Sequence, residues 1–485
     1  MRIAFLHPDL GLGGAERLVV DAAVELVKCG HMVDVYTAYY DPKRCFPETK
    51  TGGFTVHVAG GWFPRAIAGR CIALCAYIRC ILAALVIVWR SWFYRATCIE
   101  AGCQPFYDVV IADQVSAVVP FIRFLTHSKM LFYCHFPDLL LSTKRESLVK
   151  RLYRVPLDTI EQATTGMSHL VLVNSAFTKA IFKSTFTRLA DVGIEPGVLS
   201  PAVEPPSDEE LQDAESWWAD SKGDKSELSP ALHAFCSDGP VLLSINRFER
   251  KKGIVLAVDA LAALLKVQQN DMRDGSFVLL PTSPRLVIAG GYDVRLAENR
   301  EHLEELKAHA ASLGLTDHVQ FLPSFTDRQR SLLLAACTAV LYTPEHEHFG
   351  IVPLEAMAAG RPVVCCSSGG PLESVVHGKT GMLCAPDADV WASALASLLV
   401  DKSMGEHARK HVLLHHSRAA FGARLDVYVH RLAAVGGAGA SATRASASAS
   451  AAPRRRGGGG SSGGGRSGAR GRGQRVAQSA ARGGL

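Results

Sequence analysis

Short apolar runs alternate with longer stretches of helical periodicity along most of this chain. RIAFLH comes first, then the glycine-rich PDLGLGGAE, then ERLVVDAAVELVKCG, whose apolar positions recur every three to four residues until Gly30. A run that is apolar on both sides reads as a buried parallel strand, and the 3.6-residue period behind it reads as an amphipathic helix. The same unit returns with MVDVYTA, FTVHVAG, YDVVIAD, KMLFYCH and SHLVLVN, and later with PVLLSIN, RLVIAGG, HVQFLP, TAVLYTP and PVVCC. This alternation predicts an α/β protein with doubly wound parallel sheets. An acidic stretch rich in Pro, Ser and Asp separates the two sets. The expected organisation is therefore a first domain over 1–202, a linker or insertion over 203–239, and a second domain over 240–410. A helix over 411–434 is expected to pack back on the first domain, before a tail over 435–485.

The run TAVLYTP leads into PEHEHFGIVPLEAMAAG, where Glu347 and Glu355 stand on either side of a Gly and a Pro. LEAMAA behind Pro353 reads as a helix with proline in its first turn and Gly360 as its stop. Glu347 then lies on the connecting loop and Glu355 in the first helical turn. The helix start presents the unpaired N–H groups of roughly residues 350 to 354, which favour an anion. Two carboxylates beside it suit the vicinal diols of a ribose and a hexose, so the pattern predicts a nucleotide-sugar site. The helix dipole alone also favours a glutamate in the first turn, by a few tenths to about 1 kcal/mol. That structural reading stands beside the functional one.

Other strand ends add to the second reading. PVLLSINRFERKKG puts Arg247 and Lys252 between a strand and a helix start, where two cations can neutralise a diphosphate. Gly290-Gly291 offers a flat approach to a base or ribose, and Gly369-Gly370 precedes another helix. Gly11, Gly13 and Gly14 let the backbone approach a ligand at the first helix. Glu16 occupies the position where a dinucleotide fingerprint needs its third glycine, which disfavours NAD. KMLFYCHFPD ends in His135, which reads either as a substrate contact or as a satisfied structural residue. Asn174, Ser175 and Thr178 suffice as helix caps. Asp387-Ala388-Asp389 has the spacing of some metal-dependent sugar transferases but follows a Cys-Ala-Pro turn with no expected strand of its own. Glu345-His346-Glu347-His348 cannot close a tetrahedral set from one short loop. No metal site is expected.

The most apolar segment, Ile72 to Trp89, is just long enough to span a bilayer. Arg79 interrupts it, and Arg65, Arg70, Arg90 and Arg95 flank it together with Trp62, Trp89 and Trp92. Strand-like segments on both sides belong to one sheet, which a single crossing would separate. Two readings remain: a core helix, or a helix lying in the membrane interface and touching lipid through Ile72, Leu82, Leu85, Val86 and Trp89.

The formal charge of +6 comes from the tail, because residues from Val435 onward hold nine Arg and no acid and leave the rest at −3. Nucleic acid is therefore not an expected partner, and the Gly/Ala/Ser/Arg tail is expected to be disordered. The thirteen cysteines show no CxxC spacing and favour a reduced compartment over a disulfide framework. MRIAFLHPDL goes straight into a strand, so no signal peptide is expected.

FLHPDLGLGGAERLVVDAA, AYYDP, LFYCHFPDLLL, LLSINRFERKK, IAGGYD, YTP with EHFGIVPLEAMAAG, and SGGPLES together resemble the retaining GT-B glycosyltransferases of family 4. Within them the motifs are similar to the alpha-1,3/1,6-mannosyltransferases of dolichol-linked oligosaccharide assembly. The similarity spans roughly residues 1–430, leaving out the insertion over 203–239 and the tail.

The resemblance implies two Rossmann-like domains facing a cleft. It implies transfer of alpha-1,3 and then alpha-1,6 mannose from GDP-mannose to a mannosylated chitobiosyl diphosphodolichol, on the cytosolic face of the endoplasmic reticulum membrane. It carries Arg247 and Lys252 to the diphosphate, Glu355 to the ribose, Glu347 to the mannose hydroxyls and His135 to the reacting carbon. Phe349, Gly350, Ile351 and Gly290 would complete the donor site, Gly13 and Gly14 would line the cleft, and Ile72 to Trp89 would face lipid. No cofactor and no metal is implied, and other mannosyltransferases of the same pathway are candidate partners. Three rivals stay open: a relative acting on another lipid or glycan, a non-catalytic lipid- or RNA-binding protein, and an oxidoreductase binding nicotinamide at Gly11 to Gly14.

Overall fold

A computed structural model describes residues 1–67, 71–98, 105–141, 148–220, 226–273, 282–400 and 403–434. Arg70 and the tail over 435–485 lie outside the described residues. The first sheet contains β1 (Arg2–His7), β2 (Met32–Thr37), β3 (Thr55–Val58), β4 (Val109–Asp113), β5 (Lys129–Cys134), β6 (Leu170–Val173) and β7 (Gly197–Val198). The second contains β8 (Val241–Ile245), β9 (Arg285–Gly290), β10 (Val319–Pro323), β11 (Cys337–Tyr342), β12 (Val363–Cys366) and β13 (Gly381–Cys384). Their orders are β3-β2-β1-β4-β5-β6-β7 and β10-β9-β8-β11-β12-β13. Neighbouring strands run parallel, as in Ile3↔Val109 and Val241↔Arg285.

Helices cover both faces of each sheet, which is why the central strands are apolar at nearly every position, whereas the edge strands β3 and β10 carry polar residues. Ala4 and Leu6 of β1 pack with Ile87 and Val88 of the helix Ile72–Thr97. Ile3 and Phe5 point the other way, toward Val19 and Ala22 of the helix Gly14–Lys28 and Phe421 and Leu425 of the helix Arg418–Ala434. The second sheet repeats the arrangement, with Leu242 and Leu341 beneath Leu261 and Trp391 on one side and Leu243 and Val340 beneath Leu354 and Val412 on the other. Each fully buried side chain of this size contributes about 1.5–3 kcal/mol.

Several expectations change. Residues 203–239 hold two helices, Asp208–Ala219 and Pro230–Ser237, packed on the second domain. Ser207 and Glu210 form a reciprocal capping box, and the Trp218 indole donates to the Leu332 carbonyl at 2.8 Å. The acidic composition concealed an apolar stripe of Leu211, Ala214, Trp217 and Trp218. β7, two residues long, and β13, which opens on Gly381, were not expected. β13 precedes Asp387-Ala388-Asp389, contrary to the expectation of a turn without a strand, and Asp387 Oδ1 accepts from the Asp389 and Val390 N–H groups as a helix cap. Among the described residues eleven cysteines are free, whereas Cys98 is disulfide-bonded, so the expectation of reduced thiols does not extend to Cys98.

The helix Ile72–Thr97 is long and apolar enough to cross a membrane, but one face of it is buried in the protein. Arg79 belongs to that face, paired with Asp9 at 3.2 Å and donating to the Ala38 carbonyl at 3.1 Å. Ile72, Leu85 and Trp89 are exposed, as are Trp92 and Phe93. Leu82 and Val86 are half-buried, Leu82 close to Gly60 and Val86 against the core.

The chain passes between domains twice. The two passages touch where the Val203 N–H donates to the His416 carbonyl and the Arg418 N–H to the Val203 carbonyl. Arg418 then binds Glu204 at 2.7 Å and Glu25 at 3.2 Å, joining the last helix to the first domain.

Candidate active site

Strand order reverses between β1 and β4 in the first sheet and between β8 and β11 in the second, and such switch points open a crevice beyond the strands' carboxyl ends. In the first domain the last residues of β1 and β4 are His7 and Asp113, and His135 follows β5. Asp113 is fully buried, with Oδ2 2.6 Å from His7 Nδ1 and Oδ1 2.8 Å from His135 Nε2. Burial alone would raise the Asp113 carboxyl, but His135 and His7 outweigh it and hold the pKa at about 2. His135 moves the opposite way: burial lowers it, while Asp113, with help from Glu16, raises it above the usual imidazole range.

Glu16 belongs to the first turn of the helix Gly14–Lys28, whose N-cap is Gly13. Its carboxylate folds back so far that a Cβ on Gly13 would stand 2.2 Å from Oε2, whereas Gly11 and Gly14 have nothing within 4 Å of such an atom. The glycine loop thus presents Gly11 and Gly14 openly and an acidic group over Gly13.

In the second domain, the loop after β8 carries Arg247 and the turn Arg250–Lys252, and Gly253 closes it at φ +60°. Thr343 Oγ1 donates to the Lys252 carbonyl at 2.7 Å. Lys252 Nζ meets Glu347 Oε2 at 2.5 Å, with the two side chains 12 % and 26 % exposed. The Tyr342 hydroxyl also binds Glu347, and burial followed by that carboxylate pushes its pKa well up. Arg247 stands outside this pair, 62 % exposed and bound to Glu249 at 2.9 Å.

Glu355 is the fifth residue of the helix Ile351–Ala358 rather than part of its first turn. Its partner is Arg330, at 2.9 Å, and burial raises its pKa although Arg330 pulls it down. Gly350, the N-cap, has φ +77° and lies against the Tyr342 ring, Phe349 is buried, and Ile351 opens the helix half-exposed. A Cβ on Gly290 would stand 1.6 Å from the Asn246 carbonyl oxygen, so close strand packing already demands this glycine. Gly370 carries the Glu347 loop: its N–H donates to the Glu347 carbonyl at 2.8 Å, and a Cβ would meet Phe349 Cα at 2.2 Å.

The two domains meet over this loop. The Phe136 and His348 rings stack with centroids 3.8 Å apart, and Ser175 Oγ donates to the His348 carbonyl at 2.5 Å. Ser175 also caps its own helix by accepting from the Thr178 N–H. The Glu373 carboxylate accepts from the Ala176 and Phe177 N–H groups at 2.7 and 3.0 Å, filling the start of the helix Ala176–Thr185. Burial lowers the His348 pKa, and Lys252, Lys251 and His135 lower it further against Glu347. Groups from both domains thus converge on one small volume, where cations and a helix start suit a diphosphate and fixed carboxylates suit sugar hydroxyls.

Sequence reasoning missed His7, Asp113, Tyr342, Arg330 and Glu373. Asp113 and His7 left one readable mark, a polar residue ending an apolar strand run. Nothing local distinguishes Arg330, which acts through a partner 25 residues away.

Residues 227–412 match the family described as Glycosyl transferases group 1. Over 89 % of its length the chain is 44 % identical to the alpha-1,3/1,6-mannosyltransferase ALG2 of Homo sapiens, covering 96 % of that protein. Over 89 % it is 43 % identical to the protein of the same name from Dictyostelium discoideum, covering 98 % of it. Among solved structures, sucrose-phosphate synthase from Thermosynechococcus elongatus is similar with a TM-score of 0.61 at 19 % identity, covering 90 % of this chain and 100 % of that one. Anabaena HepE in complex with UDP gives 0.60 at 18 %, covering 89 % and 100 %. These two share the fold, that of GT-B glycosyltransferases. The sequence relatives reach further, and the chain belongs to the family of the alpha-1,3/1,6-mannosyltransferases.

Proposed function

We propose that this chain transfers mannose from GDP-mannose to a dolichol-diphosphate-linked oligosaccharide that already carries one mannose, first in alpha-1,3 and then in alpha-1,6 linkage. The observation that carries the reading is the Lys252–Glu347 pair at the switch point of the second sheet, with His135 of the first domain close enough to act on the neighbouring His348. The names of the sequence relatives supply the sugar and the linkages.

Transfer breaks the bond between the mannose anomeric carbon and a diphosphate oxygen. Negative charge gathers on GDP, and the sugar acquires oxocarbenium character. Lys252 has donors to spare beyond Glu347 and neutralises the leaving diphosphate, joined by the N–H groups at Ile351 and by Arg247 once it exchanges Glu249 for phosphate. Glu347, oriented by Lys252 and Tyr342, holds the mannose hydroxyls. Glu355 offers the ribose the carboxylate oxygen that Arg330 leaves free. His135 borders the anomeric carbon from the other domain, and the open Gly14 gives the acceptor room. The acceptor hydroxyl attacks on the face the diphosphate leaves, its proton passes to a departing phosphate oxygen, and the configuration is retained. Each step uses side chains and backbone N–H groups, with no divalent ion.

The membrane belongs to the same proposal. Ile72, Leu85 and Trp89, with Trp92 and Phe93, form an exposed apolar strip flanked by Arg90 and Arg95, a composition suited to the interfacial layer on the cytosolic face of the endoplasmic reticulum.

The test is product analysis with purified protein, GDP-mannose and the monomannosyl chitobiosyl diphospholipid in liposomes containing EDTA. Two successive additions, in alpha-1,3 and alpha-1,6 linkage, are expected. GDP-mannose binding without transfer would overturn the acceptor assignment, and transfer that ceases with EDTA while the protein stays folded, and returns with Mg²⁺ or Mn²⁺ but not with Zn²⁺, would overturn the metal-free step.

A further inference from the structure

Helix Gly14–Lys28 ends in a tight turn: Gly30 at φ +84° donates to the Val27 carbonyl, and the His31 N–H donates to the Leu26 carbonyl at 3.0 Å. His31 is thereby fixed and buried just before β2, with the Met1 nitrogen 3.2 Å from Nδ1 to set its ring plane. Its Nε2 points at the helix Arg418–Ala434, where Asp426 and His430 stand one turn apart. His31 Nε2 is 2.7 Å from Asp426 Oδ1, and His430 Nδ1 is 3.1 Å from that same oxygen. All three atoms lie within 4.8 Å of one another, although 395 residues separate His31 from Asp426.

We propose that His31, Asp426 and His430 form a zinc site that fastens the last helix to the first domain. Bonds of 2.0–2.1 Å at tetrahedral angles place ligand atoms about 3.3 Å apart, so small adjustments bring these atoms to bonding distance around one ion. His430 is the side chain that adjusts. It is 57 % exposed, and its polar contacts are to Asp426 of its own helix, the carbonyl at 3.0 Å and Oδ1 at 3.1 Å. Two imidazoles and one carboxylate suit Zn²⁺, whereas Mg²⁺ and Ca²⁺ prefer oxygen ligands throughout. The solvent side leaves the fourth position to water.

The site lies away from the chemistry. His31 precedes β2, while His7 ends the neighbouring β1 and Asp113 ends β4 one strand further on, so at least a strand length of about 20 Å separates the two places. Zinc here serves the joint between domains: the helix that carries Asp426 and His430 is the one that returns from the second domain to cover the first.

The experiment uses the full chain, purified without a metal-affinity tag and stripped with a chelator, then titrated with Zn²⁺ by calorimetry and with Co²⁺ by visible absorption. Expected are one ion per chain at micromolar affinity or tighter, a tetrahedral Co²⁺ spectrum, and a melting temperature that rises with Zn²⁺ and falls back with EDTA. His430→Ala removes an exposed side chain and should melt like the parent without metal, yet lose at least about a hundredfold in affinity, since even outer-sphere changes cost 10–100-fold. Asp426→Asn is expected to lose the same. Zinc binding that survives His430→Ala, or no saturable binding at all, overturns the assignment.

Discussion

Replacing Asp113 by Asn keeps the shape of a fully buried side chain, removes its charge and turns one acceptor oxygen into an NH₂ donor. A carboxyl held at about 2 instead of its ordinary 3.8 corresponds to about 2–3 kcal/mol of stability. Because that pKa is depressed, the contribution is present above about pH 4 and disappears as pH falls through the folded value near 2. The raised His135 pKa is the same attraction viewed from its partner, so the two shifts count once. Its sign is the reverse: the contribution is complete below the ordinary imidazole pKa and fades as pH rises through the folded one. The stability gap between parent and Asp113→Asn should therefore be widest between roughly pH 4 and 6, at about 2–3 kcal/mol, and narrow on both sides. Urea unfolding across pH measures the gap, and the imidazole resonances measured by NMR against pH follow His135. Its pKa should drop below the ordinary value, because burial then acts with much less opposition. A gap that does not vary with pH, or an unmoved His135 resonance, refutes the reasoning.

Lys252→Ala should reduce kcat by about 10²–10³-fold, the usual cost of one group that stabilises developing negative charge, with stability within about 1 kcal/mol because the pair is partly exposed. Steady-state rates and thermal melts check both, and an unchanged kcat removes Lys252 from the mechanism. Gly370→Ala forces a methyl onto rigid backbone at Phe349, so unfolding should cost about 1–3 kcal/mol less and transfer should fall as the Glu347 loop shifts. Glu355→Gln should raise the donor KM severalfold with kcat little changed, and an unaltered KM would show that Glu355 does not reach the donor. Leu85→Glu with Trp89→Glu should abolish sedimentation with anionic vesicles and spare transfer to a short-chain soluble acceptor. Sedimentation equal to the parent's would rule out this strip as the lipid contact.

Both sheets were legible in the sequence because a parallel strand buried on two faces is apolar at every position, and each unit is continuous in the chain. β13, GMLC, opens on a glycine and follows a helix of only four residues, so the strand–helix alternation does not mark it, and the helices of 203–239 were concealed by their acidic exposed faces. Glu347 and Lys252 could be read because each follows a strand and precedes a helix, the place where open sheets bind ligands. What joins them to one another could not. The Lys252–Glu347 pair spans 95 residues and the His7–Asp113 contact spans 106, distances over which no local pattern operates. Glu355 shows the limit from the other side. Its helix was legible, but its position one residue past the first turn and its dependence on Arg330 follow from how two helices pack.

The pairing of Lys252 with Glu347 bears on how the proposed reaction is prepared. A free lysine at the cleft would sample many rotamers and be fully hydrated, and donor binding would have to reverse both. Here the ammonium is already mostly desolvated, its backbone is held by Thr343, and its partner carboxylate is fixed in turn by Tyr342. The cation therefore meets a diphosphate in place, with its remaining donors unused. Glu347 gains from the same contact: the ammonium fixes its position and leaves one oxygen for the sugar. Gly370 and Ser368 support the arrangement from below by holding the loop backbone at Glu347 and His346. Ser175, Phe136 and Glu373 support it from the facing domain. Charge stabilisation that needs no rearrangement during bond breaking is the form in which electrostatics accelerates a reaction most. In this chain it is assembled from residues whose partners lie in other elements or in the other domain.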